Sequence, residues 1–180
     1  MLAALLFLRN FTLEPLAYDS FNSESATIND TVLESEMETI EHLPAPESVR
    51  AIYMTSWVAG TPGWRADLVK FVESSEINAM VIDVKDYSGR IAFEVLDPVL
   101  AEFGAEEIRV SDFRDFIKEL HRKNIYAIAR ISVFQDPYMA ARRPDLAIRN
   151  SSGETWKDRK GISWIDPAAR DYWDYIVRIG

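Results

Sequence analysis

The sequence predicts an α/β fold organised on a parallel sheet, and three observations predict it. Strand-length apolar runs alternate with helix-period segments from Arg50 to the end of the chain. The runs begin about 28 and then about 47 residues apart, room for a crossover helix in each interval. Two of them, Asn78–Val84 and Ile125–Val133, are almost continuously apolar, the pattern of strands covered on both faces.

Taken in order, Arg50–Trp57 reads as the first strand, followed by a Gly/Pro turn at residues 60–63. Trp64–Ser75 sets Leu68, Val69, Phe71 and Val72 on one helical face. After the second strand, Ser111 is placed to cap a helix with Phe113, Phe116, Ile117 and Leu120 at i, i+3, i+4 and i+7 spacing. His121 near its end is placed to cap the last carbonyls. A last helix is expected from Asp166-Pro167 onward, packing Tyr172, Trp173 and Ile176.

The domain expectation is threefold: an apolar stub at 1–18, an acidic linker at 19–48 and a folded domain at 49–180. The run Leu2–Leu8 is too short for a bilayer, which needs about 20 apolar residues. It reads either as a frayed tail or as the remnant of an export signal or anchor. Residues 19–48 are rich in Ser, Thr, Asn and Glu and cannot bury enough apolar surface to offset their ordering entropy, so they are expected to be disordered. The formal net charge is −9, and residues 1–48 hold nine acids against one base. The folded part is near neutral, which argues against nucleic acid or an anionic membrane as its main partner. No Cys and two His exclude disulfides, thiolate chemistry and a multi-histidine metal site.

What trails each strand is informative. Thr55, Ser56 and Trp57 follow the first; Asp83, Lys85 and Asp86 end the second; Arg130 lies inside the third, which leads to Asp136. A further segment, Trp156–Pro167, carries Trp164 and Asp166. In parallel α/β folds ligands bind outside the carboxyl ends of the strands. A guanidinium inside a strand needs a carboxylate, and Asp83 and Asp136 are the candidate partners of Arg130, as a structural ion pair or as part of a site. Asp83 and Lys85 share a strand face by alternation. Trp57, Trp156 and Trp164 beside carboxylates suit the apolar faces and hydroxyl rims of sugars, although any one indole is equally at home in a core. No phosphate-binding glycine fingerprint or nucleophile elbow is present, and no cofactor or metal is expected.

The motifs Arg50–Trp57, Asn78–Ile91, Ile125–Pro137, Arg143–Ala147 and Trp156–Pro167, in that order, resemble the bacterial glycoside-hydrolase-like TIM-barrel domain family. The resemblance runs from about Val49 to Gly180. It implies a (β/α)8 barrel and action on a polysaccharide or oligosaccharide, outside the cytoplasm or in the cell envelope. Asp83, Asp86, Asp136 and Asp166 are the implied catalytic candidates, and Trp57, Lys85, Arg130, Trp156 and Trp164 the implied substrate contacts.

The same resemblance places a further strand, with an Asp-Tyr-x-Arg-Phe-Pro segment, after the last helix. A closed barrel takes about 250 residues. The chain is therefore expected to be the N-terminal part of a barrel, of three to four βα units, inactive alone and prone to self-association through an exposed edge. Hydrolysis needs two carboxyl groups, about 5–5.5 Å apart for retention and 6.5–9.5 Å for inversion. The rival expectations are a non-catalytic carbohydrate-binding or cell-wall module, and a self-contained domain of flavodoxin-like size.

Overall fold

A computed structural model describes residues 42–180. The stub at 1–18 and most of the expected linker lie outside the described residues. Residues 42–48 carry no regular structure, and Asn78 Nδ2 donates to the Ser48 carbonyl at 2.8 Å.

Among the described residues three strands form the sheet: β1 (Ala51–Met54), β2 (Ala79–Lys85) and β3 (Tyr126–Ile131). All pairs are parallel, in the order β1-β2-β3, with Met54 opposite Ile82 and Asp83 opposite Arg130. A flavodoxin-like winding would put β1 between the other two. Here β2 is central.

Alternation along β2 divides its residues between two faces. Met80 and Ile82 pack with Met54 under α2 (Pro62–Glu73) and α4 (Phe113–Arg122), where Val69, Val72, Phe116 and Leu120 complete a core. The opposite face carries Tyr53, Asp83 and Arg130, which meet there. Only β2 is covered on both faces; β3 is half-buried, with Ala129 and Arg130 exposed. The expectation of a fully buried third strand is corrected: among the described residues β3 is an edge strand, and its alanines and Arg130 meet solvent.

The helix boundaries moved for local reasons. α2 begins at Pro62, whose fixed φ suits a first turn. Asp112, not Ser111, precedes α4, and its carboxylate bonds Arg65 at 2.8 and 2.6 Å instead of its own helix. Trp57 lies in a one-turn helix, α1 (Ser56–Ala59), because Thr55 caps it by accepting from the Val58 N–H at 3.2 Å. Gly60 ends α1 against the Arg109 carbonyl, which a Cβ would meet at 2.0 Å.

A second core gathers Ile91, Leu100, Met139, Ile165, Tyr172 and Tyr175. It anchors α3 (Pro98–Glu102), α5 (Pro137–Arg142) and α6 (Arg170–Ile179). The last helix starts three residues later than the expected Pro167; Asp166 instead closes a turn, its Oδ1 accepting from the Ala168 N–H at 2.8 Å. The further segment Trp156–Pro167 does not join the sheet. It folds into an antiparallel arm in which Ala147 faces Ile165, Arg149 faces Thr155 and Lys157 faces Ser163.

Phe116 is 1% exposed, and its ring also supports the Arg65 guanidinium at 4.7 Å. Phe116→Ala is expected to cost about 3–5 kcal/mol of stability. Urea denaturation of the two proteins measures it, and a loss under 1 kcal/mol would show that this core does not hold the helix layer.

Candidate functional site

The charged side chains at the strand ends fall into three groups, graded by access to water. In the outermost, Asp83 bridges all three strands. One carboxylate oxygen accepts from the Tyr53 hydroxyl of β1 and the other from Arg130 Nη1 of β3 at 2.6 Å. The register sets this up, since Arg130 stands directly opposite Asp83. The Asp83 side chain is only 5% exposed, whereas that of Arg130 is 47% exposed. A ligand on this face therefore meets the guanidinium and the phenol first. Arg130 also lies over the Tyr53 ring at 5.6 Å. The Tyr53 hydroxyl is pushed up to about 12, first by desolvation and then by its bond to Asp83.

The second group surrounds Asp86. Arg109 Nη1 donates to its Oδ2 at 2.6 Å, while Ser88 donates to Oδ1 from its N–H at 2.9 Å and its hydroxyl at 2.5 Å. Arg109 also donates to Ser56 at 3.0 Å and to Glu107 at 2.8 Å, and lies 4.5 Å from the Trp57 ring centre. One face of that indole is thus backed by a fixed cation, and the side chain is otherwise open, with Trp57 58% exposed. The two groups are electrostatically joined, because the Asp86 charge acts on both Tyr53 and Arg130.

The third group is closed. Lys85 Nζ lies 2.9 Å from Asp136 Oδ2, with both side chains 0% exposed. Lys85 also donates to the Ser132 carbonyl at 2.7 Å, and Tyr172 donates to Asp136 Oδ2 at 2.7 Å. Asp136 Oδ1 caps α5 by accepting from the Met139 N–H at 2.7 Å. Burial lowers the pKa of Lys85, opposed by Asp136, and raises that of the Tyr172 phenol. Gly89 has a φ of +83°, and a Cβ there would lie 2.0 Å from Asp136 Oδ1. No side chain but hydrogen fits that left-handed turn.

The structure thus brings Arg130 to Asp83, and gives Asp136 to Lys85 instead. Trp156, Trp164 and Asp166 make no hydrogen bond or ion pair with these groups; Trp164 Nε1 donates to Asp158 at 3.3 Å within the arm. Tyr53 and Arg109 are site residues that the sequence reading missed. The parity of β1 places Tyr53 on the Asp83 face; Arg109 comes from an irregular excursion with no period to read. A cleft of about 450 Å³, where Phe93, Leu100, Phe113 and Ile117 meet Glu94, Asp97, Arg114 and Arg178, holds none of these strand-end groups. Among the described residues no group of three or more His, Asp and Glu could hold a metal, and no helix is long and apolar enough to cross a membrane.

Comparison with known proteins adds a family. The sequence profile of the family described as "Putative glycosyl hydrolase domain" matches residues 51–180. The crystal structure of a hypothetical protein from Ruminiclostridium thermocellum ATCC 27405 is similar at 31% identity and a TM-score of 0.66, over 71% of this chain and 67% of that one. A noncanonic maltogenic alpha-amylase, AmyB from Thermotoga neapolitana, is more distant: 15% identity and a TM-score of 0.48, over 72% of this chain and 34% of that one. No curated protein matches significantly.

Two measurements check the site's electrostatics. Tyr53 ionises later when folded than the ordinary phenol value of 10.0, so its contribution to stability is complete below pH 10 and is lost as pH rises through about 12. Tyr53→Phe is expected to remove that part of the alkaline stability loss, and an ultraviolet titration of the two proteins to differ by one late phenol; identical curves would contradict the assignment. For the closed pair, Lys85→Ala is expected to cost about 3–5 kcal/mol by leaving Asp136 buried and unpaired. Asp136→Asn should cost less in that background than in the wild type, and additive losses would mean that the pair is not coupled.

Proposed function

Because the chain belongs to the glycosyl hydrolase domain family that spans its residues 51–180, we propose that it acts on a polysaccharide at the carboxyl ends of its strands. The observation that carries this reading is the Tyr53–Asp83–Arg130 network, laid across three strands on the face opposite the helices. Its exposed members offer a phenol and a guanidinium to sugar hydroxyls. The Trp57 indole, backed by Arg109, supplies a flat platform of the kind that stacks on a pyranose face.

A role for Asp83 follows from hydrogen-bond accounting. A carboxylate accepting on both oxygens has no proton to give, so Asp83 suits nucleophile, base or electrostatic stabiliser and not general acid. Asp86 and Asp136 accept on both oxygens as well. Asp166 is open to solvent but lies at the arm, bonded to Ala168. We therefore read these 180 residues as holding one half of a catalytic pair, within a larger barrel whose first βα units they form. The sequential parallel order and the polar inner face support that fold. Among the described residues the outer edges of β1 and β3 have no strand partner, which favours self-association, and a polymeric substrate too large to be imported favours a place outside the cytoplasm.

A second reading is a carbohydrate-binding module without chemistry. The burial of all three strand-end aspartates favours it, since a group shielded by its own partners binds through them more readily than it reacts.

The deciding experiment is a panel of bacterial and plant glycans, scored for binding and for release of reducing ends. Binding weakened tenfold or more by Asp83→Asn, without turnover by this chain, is the expected result. Turnover abolished by Asp83→Asn would sink the inactivity and keep the hydrolase; no binding to any glycan would sink the carbohydrate reading.

A further inference from the structure

The arm lies outside this site, and nothing in the preceding mechanism uses it. Three antiparallel contacts close it on itself: Ile148 donates to the Trp164 carbonyl at 2.9 Å, Trp156 to the Ile148 carbonyl at 2.8 Å, and Asp158 to the Ile162 carbonyl at 2.9 Å. Asp158 then turns inward, its Oδ1 accepting from the N–H groups of Lys160 at 2.8 Å and Ile162 at 2.9 Å. Those bonds hold its carboxyl below the usual carboxylate range, the Ile162 bond foremost. Asp158 thus stays ionised inside the turn, against the three cations Lys157, Arg159 and Lys160.

What remains at the tip is cationic and aromatic. Lys157, Arg159 and Lys160 are exposed, and among the described residues none has an ion-pair partner. Trp156 is 40% exposed. The pairing of Lys157 with Ser163 sets Trp156 and Trp164 on one face of the hairpin. From Arg142 to Lys160 the chain holds six bases and three acids, a net of +3 in a protein of −9. Such a local reversal of sign, on a rigid turn beside an exposed indole, is a surface built for an anion that also has a flat apolar face.

We propose that the arm is a holding surface for an acidic polysaccharide, a chain of sugars bearing carboxylate groups. Trp156 stacks on a sugar ring while Arg159 and Lys160, at the turn, pair with the acidic substituents, and Lys157 adds its charge from the other face of the hairpin. The inference deepens the glycan reading and rests on it, but concerns a different surface. Duplex nucleic acid fits less well, because its stacked bases present no open ring face to Trp156 and a charge per roughly 1.7 Å far outnumbers the cations of the tip.

The test uses the full chain with polygalacturonate, with dextran as the neutral glycan, duplex DNA as the dense polyanion and vesicles of anionic lipid as the surface. Polygalacturonate is expected to bind best, more weakly as salt rises. A Lys157→Ser/Arg159→Ser/Lys160→Ser triple variant should lose tenfold or more in affinity. Trp156→Ala should lose severalfold without changing the salt dependence. In an Asp83→Asn background the triple variant should still lose tenfold or more and the salt dependence should persist, so that failure here and failure of the strand-end site are separable. Dextran bound as tightly as polygalacturonate, DNA or vesicles bound more tightly, or a triple variant that binds like the wild type, would each overturn the proposal.

Discussion

A lysine and an aspartate with no access to water have to face each other, and much of this molecule is arranged around that necessity. Removing two charges from solvent costs several kcal/mol per ion, recovered only when geometry and further hydrogen bonds are good. Lys85 and Asp136 meet those terms through the Ser132 carbonyl, the Tyr172 hydroxyl and the Met139 N–H. Each partner belongs to a different part of the chain: the end of β2, the turn after β3, the first turn of α5 and the face of α6. The pair therefore ties the second core to the sheet, and it dictates a glycine at position 89, where any side chain would collide with the Asp136 carboxylate.

From this closed pair outward the charges become more accessible. The Arg109–Asp86 pair has side chains 6% and 4% exposed, and Arg130–Asp83 combines an open cation with a covered anion. A buried pair is compensated for its own sake and contributes to architecture. A pair whose cation stands in solvent keeps unused N–H donors facing outward, because a guanidinium has five and Asp83 takes one. The same pairing of cation and carboxylate is thus sealed from water at one end of the series and open to it at the other.

Much of this was legible in the residues. The α/β alternation, the parallel sheet and the Arg130–Asp83 contact follow from strand-length runs, side-chain alternation and the rule that a guanidinium on a strand needs a carboxylate. Other features were not. α3 and α5 have five and six residues, too short for a helical period to emerge. Asp136 looked like a partner for Arg130, but Pro137 immediately starts a helix, and a capping aspartate is turned toward that helix and the lysine beneath it. Arg109 reaches Asp86 from an irregular segment 23 residues away, and only tertiary folding brings them together.

The step that separates the open group from the closed one lies within β2 itself. Strict alternation would aim Asp83 and Lys85 at the same surroundings, and the sequence reading took them to share a face for that reason. The register against β3 shifts between them: Asp83 pairs with Arg130, yet Lys85 pairs with Ile131. Two residues of β2 are thus spanned by one of β3, which is how a bulge re-aims a side chain and why bulges collect beside sites. The irregularity leaves Asp83 under Tyr53 and Arg130 on the open face and carries Lys85 to Asp136 and Tyr172. The shift thus sits between the residue that meets Tyr53 and Arg130 and the residue that meets Asp136 and Tyr172, so two charges of one strand, two positions apart, take different partners.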